Sequence, residues 1–359
     1  MKAKLKPRIE LEGRTPLETV IPLSVPFLVF LDPSSACNFK CKFCPTGDRE
    51  LIKSVGRKQI GMNYEVFCKI IDDMQSFEHP IKVLRLYKEG EPLLNRRFTD
   101  MVRYAKSKSV AHKIDTTTNA SLLSPEKNLD LIDSGIDRIN VSINGMSSET
   151  YVDFTGYKMN MEELEANIRH LYENRKNTMI VVKIVGDILT EEERGRFLKT
   201  FGDYADRVFV ENVSYCWPEY EIKDYMNVEI TKGIYGQEIR EVQVCPYLFY
   251  SMAINSDGTV SACFIDWARK LVIGDAKTQN IVDIWNGNEM YELRRQHLEL
   301  KRKQISPCNN CGQIAHGMPD DIDKFAPEFL ERINKAHKTR VGTGDIGSAP
   351  KASVLKVLT

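Results

Sequence analysis

Nine cysteines constrain this chain more than any other feature. They stand at positions 37, 41, 44, 68, 216, 245, 263, 308 and 311, and seven of them fall into two groups, one toward each end. An odd number of cysteines without a secretory signal disfavours a disulfide framework. Grouped cysteines in a reducing compartment are more often metal ligands, and the cytoplasm is the expected location. The best apolar stretch, residues 20–31, carries Pro22 and Pro26. It is shorter than the ~18 residues of a membrane span, so no membrane partner is expected. Lys plus Arg total 50 and Asp plus Glu total 50. A chain without net charge is not expected to bind nucleic acid, which needs a positive field.

The 359 residues, 42% of them hydrophobic, suffice for one large domain or a domain plus a smaller one. Strand-like runs fall at residues 27–31, 83–86, 112–117, 137–143, 179–185 and 207–213. Helical spacing falls at 97–107, 125–134, 161–175 and 191–201. This alternation predicts an α/β fold with a parallel sheet and helices outside. Six units over about 190 residues make a partial (β/α)6 barrel rather than a closed eight-stranded one. After about Pro218 the character changes. Short strand-like runs at 250–254 and 260–264 flank a Ser256-Asp257-Gly258 turn, and 281–303 reads as helix. The expected organisation is an N-terminal extension over 1–22, the barrel over 23–220, and a small α+β domain over 221–320. A C-terminal helix and a tail over 321–359 follow, turn-rich and flexible from about Arg340.

Cys37, Cys41 and Cys44 form a C-x3-C-x2-C group directly after the first predicted strand. Three thiolates on one loop can hold three irons of a [4Fe–4S] cubane and leave the fourth iron open. A zinc site with a remote fourth ligand is the alternative. The spacing, with Phe43 as the aromatic before the last cysteine, resembles the signature of the radical S-adenosylmethionine (radical SAM) enzymes. The resemblance implies that S-adenosylmethionine chelates the open iron. Reduction by a partner such as flavodoxin or ferredoxin then yields a 5′-deoxyadenosyl radical. Gly90-Glu91-Pro92 resembles the family's Gly-Gly-Glu segment, which contacts the cofactor's amino group, although Glu89 stands at the first glycine. Thr118-Asn119 resembles its Thr-Asn-Gly loop, with Ala120 replacing glycine. Ser142 and Asn144 fall where the family places ribose and carboxylate contacts.

The second group, Cys245, Cys263, Cys308 and Cys311, follows a C-x(9–15)-G-x4-C…C-x2-C pattern. It resembles the SPASM or twitch domain that holds auxiliary iron–sulfur clusters. Full SPASM domains carry seven cysteines, and none follows Cys311 here. Four thiolates therefore imply one auxiliary [4Fe–4S] cluster, with structural zinc as the alternative.

A fully ligated cluster suits electron transfer, which points to net oxidation. The expected substrate is a small polar molecule, a sugar, aminosugar or cyclitol, whose carbinol becomes a carbonyl. Cys216, after the sixth strand, is a candidate hydrogen donor that would instead make the enzyme an epimerase. Tyr215 and Trp217 are candidate pocket residues, and Glu211 a candidate base, with Lys183 or Arg138 as alternatives. Peptide modification is a further reading, although the roughly 25 residues before the first strand are too few for a peptide-recognition domain. A zinc-bound scaffold without catalysis is the non-enzymatic alternative. Cys68 reads as a small hydrophobe on a helix core face. The six histidines read as structural or solvated.

Overall fold

The computed structural model describes residues 1–222, 228–317 and 320–343. Its strands, in chain order, are β1 (Lys4–Leu5), β2 (Leu28–Leu31), β3 (Ile81–Arg85), β4 (Ala111–Thr118), β5 (Arg138–Ile143), β6 (Met179–Val185), β7 (Arg207–Glu211), β8 (Ser251–Ile254), β9 (Thr259–Ser261) and β10 (Val272–Asp275). Its α-helices are α1 (Arg49–Ser54), α2 (Tyr64–Met74), α3 (Phe98–Ser107), α4 (Pro125–Asp133), α5 (Ser148–Thr155), α6 (Met161–Asn174), α7 (Glu191–Phe201), α8 (Tyr247–Tyr250), α9 (Ile281–Asn286), α10 (Asn288–Leu298), α11 (Gln313–His316) and α12 (Ala326–Thr343).

The strands form one ten-stranded sheet in the order β1-β7-β6-β5-β4-β3-β2-β8-β9-β10. β2 to β7 are the six parallel strands of the expected partial barrel. Helices cover one face of these strands with apolar residues such as Leu84, Ile114, Ile139 and Val208, and the other face, toward the barrel lumen, carries charged residues among them, including Arg85, Asp115, Arg138 and Glu211. α6 buries Leu164, Ile168 and Leu171, at helical spacing, against that sheet. Helix starts are fixed locally. Asn63, Ser124, Ser147 and Asn160 each accept a backbone N–H, and Thr190 with Glu193 forms a full capping box.

The structure departs from the expectations at several points. The N-terminal extension is not irregular throughout, because Lys4–Leu5 pairs in parallel with β7 at the sheet's edge. The strand-like run expected at 250–254 forms β8, which joins the barrel's own sheet by pairing in parallel with β2, Phe30 opposite Ala253. The 281–303 helix is broken at Gly287, whose extended backbone separates α9 from α10. Cys68 lies off the buried face of α2, which is formed by Phe67, Ile70, Ile71 and Met74. At the C-terminus, α12 continues to Thr343 where a turn-rich tail was expected from about Arg340. The rest of that tail lies outside the described residues. Among the described residues, no helix is long and apolar enough to cross a membrane.

Candidate active site between two cysteine groups

The first cysteine loop leaves the C-terminal end of β2, where parallel α/β folds gather their chemistry. It is pinned on three sides. Ser35 N–H donates to the Ile60 carbonyl, Lys40 N–H to that of Thr155, and Lys42 N–H to that of Phe154. Gly47 lets the chain wrap tightly, since a Cβ there would lie 2.7 Å from the Cys41 carbonyl oxygen. Cys41 feels both Cys44 and Cys37. Phe39 N–H reaches Cys37 Sγ at 3.4 Å, and the Thr46 and Gly47 backbone N–H groups reach Cys44. Burial pushes all three thiols up, Cys37 to about 12. Crowded, buried thiols with N–H donors aimed at sulfur suit a positively charged metal cluster, which stabilises their thiolates. The ring of Phe43 packs on Phe154, 5.4 Å between centroids.

The loop after β3 packs directly on this one. A Cβ at Gly90 would fall on the carbonyl oxygens of Ser34 and Ala36, and Glu91 N–H donates to the Ala36 carbonyl. The carboxylate of Glu91 is buried and turned toward β4. Thr118 Oγ1 donates to it at 2.7 Å, Asn119 N–H at 2.7 Å and Leu93 N–H at 3.1 Å. Burial outweighs these donors and raises its pKa to about 7. In this arrangement Glu91 ties two strand ends together. Asn119 in turn donates to Asn38, between Cys37 and Cys41. Cys37, Glu91, Thr118 and Asn119 are thus brought into one cluster. Pro92 is buried at the start of a 3-10 turn. Ser142 and Asn144 stand at the end of β5, where the Asn144 side chain donates to the Ser142 carbonyl and the Tyr151 hydroxyl receives Asn144 N–H.

The residue that departs from the family pattern has a partner set of its own. Glu89 is buried among Lys88, Arg57 and Arg269, and its N–H donates to Asp32. Arg57 also donates to Thr46, two residues past Cys44, and to the carbonyl of Trp267. Arg269 and Trp267 follow Cys263 in sequence. A glycine at position 89 would leave these cations without their shared carboxylate. Burial and the nearby Glu89 push Asp32 up to about 7.

Cys245, Cys263, Cys308 and Cys311 also converge, and Cys263 feels the other three. Burial pushes all four thiols up, Cys245 to about 12. No three His, Cys, Asp or Glu side chains among the described residues stand at single-ion spacing. A cubane spreads its ligands over four irons. The sequence did not single out two residues that support this group. Arg302 donates to the carbonyls of Cys308 and Gln243. His297, read only as structural or solvated, accepts the Cys245 N–H at 3.3 Å, and burial lowers its pKa to about 3.

Between the two groups runs the segment after β7. Cys216 is half-buried, and its carbonyl lies 3.9 Å from Cys311 Sγ. Burial pushes its thiol up to about 12, with Cys311 and Cys44 both close enough to add to the shift. Tyr215 meets the ring of His316 edge-on, 6.2 Å between centroids. Tyr215 and Trp217 line a cavity of about 370 Å³ with Asn310, which lies between Cys308 and Cys311. Glu211 faces the lumen in ion pairs with Lys183 and Arg8. Burial alone would push its carboxyl up, but the two cations win and hold it below its ordinary value. That makes it a weaker base than its position suggested. The other two candidates are also paired, Lys183 with Glu211 and Arg138 with Asp115.

A radical SAM superfamily model matches residues 31–201, and a model for the SPASM iron–sulfur cluster-binding domain matches residues 245–312. The chain carries a radical SAM domain followed by a C-terminal SPASM iron–sulfur cluster-binding domain. Its cofactors are those of that class: S-adenosylmethionine, a radical SAM [4Fe–4S] cluster and auxiliary [4Fe–4S] iron. Among curated relatives, it is similar to a tungsten-containing aldehyde ferredoxin oxidoreductase cofactor-modifying protein of Pyrococcus furiosus. The two are 26% identical over 73% of this chain and 78% of the relative. It is also similar to an AdoMet-dependent heme synthase of Methanosarcina barkeri, 22% identical over 87% and 98%. Its fold resembles BtrN solved with AdoMet and 2-DOIA, with TM-score 0.53, 17% identity, and coverage of 83% of this chain and 98% of that one. It also resembles Streptococcus suis SuiB bound to S-adenosylmethionine, with TM-score 0.58, 16% identity, and coverage of 87% and 76%.

Proposed function

We propose that this chain is a radical SAM oxidoreductase that converts a carbinol of a small, carbohydrate-like substrate to a carbonyl. In this reading Cys37, Cys41 and Cys44 hold the catalytic cluster, and Cys245, Cys263, Cys308 and Cys311 hold one auxiliary cluster. Asn119, Ser142 and Asn144 frame the cofactor, with Gly90, Glu91, Pro92 and Thr118 shaping the shelf and Phe43 backing the cysteine loop. When bound, the cofactors supply hydrogen-atom abstraction and an electron acceptor. The balance is two electrons and two protons: one hydrogen atom and one electron leave the carbinol, and its hydroxyl proton passes to a lumen group. Glu211, held below its ordinary value by Lys183 and Arg8, is a weak acceptor for that proton.

One observation supports an auxiliary electron acceptor most directly. Phe264, next to Cys263, stacks on Phe30 of β2 inside the lumen, 4.4 Å between centroids. The second cysteine group therefore abuts the chamber in which a substrate would lie. The test is anaerobic turnover with S-adenosylmethionine, a chemical reductant and candidate polyols, read by mass. A product two mass units lighter, lost in Cys245→Ala while 5′-deoxyadenosine still forms, is expected. A mass-neutral, inverted product that requires Cys216 would replace this reading with epimerisation. That second reading draws on the half-buried position of Cys216 near Cys44 and Cys311. A cross-linked peptide product would replace it with peptide modification. Iron analysis is a separate check: about eight irons per chain, falling to about four when Cys37, Cys41 and Cys44 are all replaced by Ala.

A further inference from the structure

The barrel lumen holds a larger group of charges than the proposed oxidation requires. Two carboxylates each bridge two cations. Asp115 lies between Arg85, at 3.8 Å, and Arg138, while Glu211 lies between Arg8, at 3.4 Å, and Lys183. Four cations against two carboxylates leave a surplus of positive charge. The exposure is uneven. The carboxylate side chains of Asp115 and Glu211 are sealed, 1% and 7% exposed, whereas Arg85, Lys183, Arg138 and Arg8 keep 15–23%. A molecule entering the lumen therefore meets cations.

Arg85 is the least satisfied of them. Arg8 donates to the Tyr87 hydroxyl, and Arg138 donates to the Arg8 carbonyl and to Asp115. The Arg85 side chain makes no hydrogen bond among the described residues. Its Nε is buried without a hydrogen-bond partner, and its guanidinium lies over the Phe30 ring at 5.3 Å. A buried guanidinium leaves its donors unmade only at a cost. Its planar fork matches a carboxylate or phosphate in bidentate geometry. Arg85 ends β3, five residues before Gly90, so it sits below the strand-tip shelf assigned to S-adenosylmethionine. Phe30, beneath it, stacks on Phe264 of the auxiliary segment.

We propose that the lumen is an anion-recognition chamber and that Arg85 binds a carboxylate or phosphate group of the substrate. The substrate is then an acidic polyol, such as a sugar acid or a sugar phosphate, rather than a neutral sugar. The inference deepens the proposed function and rests on it for the polyol, but not for the anion.

The test uses anaerobically reconstituted holoenzyme with S-adenosylmethionine bound, and three matched probes measured by calorimetry: glucose, glucuronate and glucose 6-phosphate. At least one charged sugar should bind ten-fold or more tightly than glucose. Preference for glucuronate alone assigns a carboxylate, and preference for glucose 6-phosphate alone a phosphate. The preference should weaken with added salt, fall to within about two-fold in Arg85→Gln, and persist in part in Arg85→Lys. The surface variant Arg97→Gln should keep it in full. Equal binding of all three probes, no binding of either charged probe, or a preference unchanged in Arg85→Gln would overturn the proposal. Weaker S-adenosylmethionine binding in Arg85→Gln with unchanged sugar discrimination would also overturn it, by assigning the arginine to the cofactor. Should Arg85→Gln lose its iron, the salt dependence of the wild type and the Arg85→Lys variant decide. The readout is binding, so a failure here leaves the oxidation reading untouched, and a failed turnover assay leaves this one untouched.

Discussion

Glu89 shows how a single residue can break a motif for a reason that lies elsewhere in the chain. Its carboxylate serves Lys88, Arg57 and Arg269, the last of which is 180 residues away. Restoring the family's glycine with Glu89→Gly should destabilise the protein by about 3–5 kcal/mol, the usual cost of stranding one side of a buried ion pair. A thermal melt of the holoprotein checks this, and an unchanged Tm would refute the network's structural role. Ala120 is the opposite case. It occupies the family's glycine position with φ +63°, a left-handed conformation that costs an alanine about 1–2 kcal/mol. Glycine's extra chain entropy takes back about 0.5–1 kcal/mol and loss of the buried methyl about 0.8 kcal/mol, so Ala120→Gly should change stability by less than about 1 kcal/mol in denaturant titration. Glu91 yields a pH prediction. Its folded-state pKa of about 7 lies above the ordinary 4.5, so the native chain holds a proton that the unfolded chain releases. That contribution is complete below pH 4.5 and is lost as pH rises through 7. The Tm of the wild type should therefore fall relative to Glu91→Gln between pH 5.5 and 7.5, and parallel curves would show that Glu91 is already ionised.

At the level of elements, the sequence is most legible where one segment carries its own signal. β2 and β6 announce themselves as apolar runs because they are buried along most of their length, as in Ile180-Val181-Val182 of β6, whereas β3, β4, β5 and β7 mix apolar with polar and charged residues and are legible by alternation with helices. The cysteine loops are legible because their spacing is local. What the sequence conceals depends on distant partners. β1 has two residues, and its pairing with β7 spans about two hundred positions. β8 looks like part of a separate module until its register with β2 is seen. Arg8 reads as one charge among many in an irregular extension, yet it reaches Glu211 and Tyr87 in the lumen. The docking of the Cys216 segment on the second cysteine loop is equally non-local. A Cβ on Gly312 would fall on the Tyr215 carbonyl oxygen. Gly312→Ala should therefore displace one of these segments and lower the iron retained by the second group, leaving that of the first intact. Iron content measured with and without the Cys37, Cys41 and Cys44 substitutions separates the two groups, and full retention would show that the segments can yield without loss.

Across the whole molecule, the shared sheet makes the two cysteine groups parts of one folding unit. β2 lies between β3 and β8, so the strand that launches the first cysteine loop also carries the segment that joins Cys245 to Cys263. Deleting everything after residue 222 would strip β8 from β2 and expose a fully apolar edge, Leu28–Leu31, whose unpaired backbone groups invite association. It would also strand Lys88 and Glu89 without Arg269. The truncated chain should accumulate as aggregate and not as a soluble, iron-binding barrel. The intact holoprotein should unfold in one transition, with helical circular dichroism and visible cluster absorbance changing together, as expected of a single cooperative unit. A soluble 1–222 fragment that binds iron through Cys37, Cys41 and Cys44 would show the barrel to be autonomous. Two separated transitions in the intact chain would show the same. Either result would mean that the β2–β8 pairing positions the auxiliary site beside the lumen without being needed to hold the barrel together.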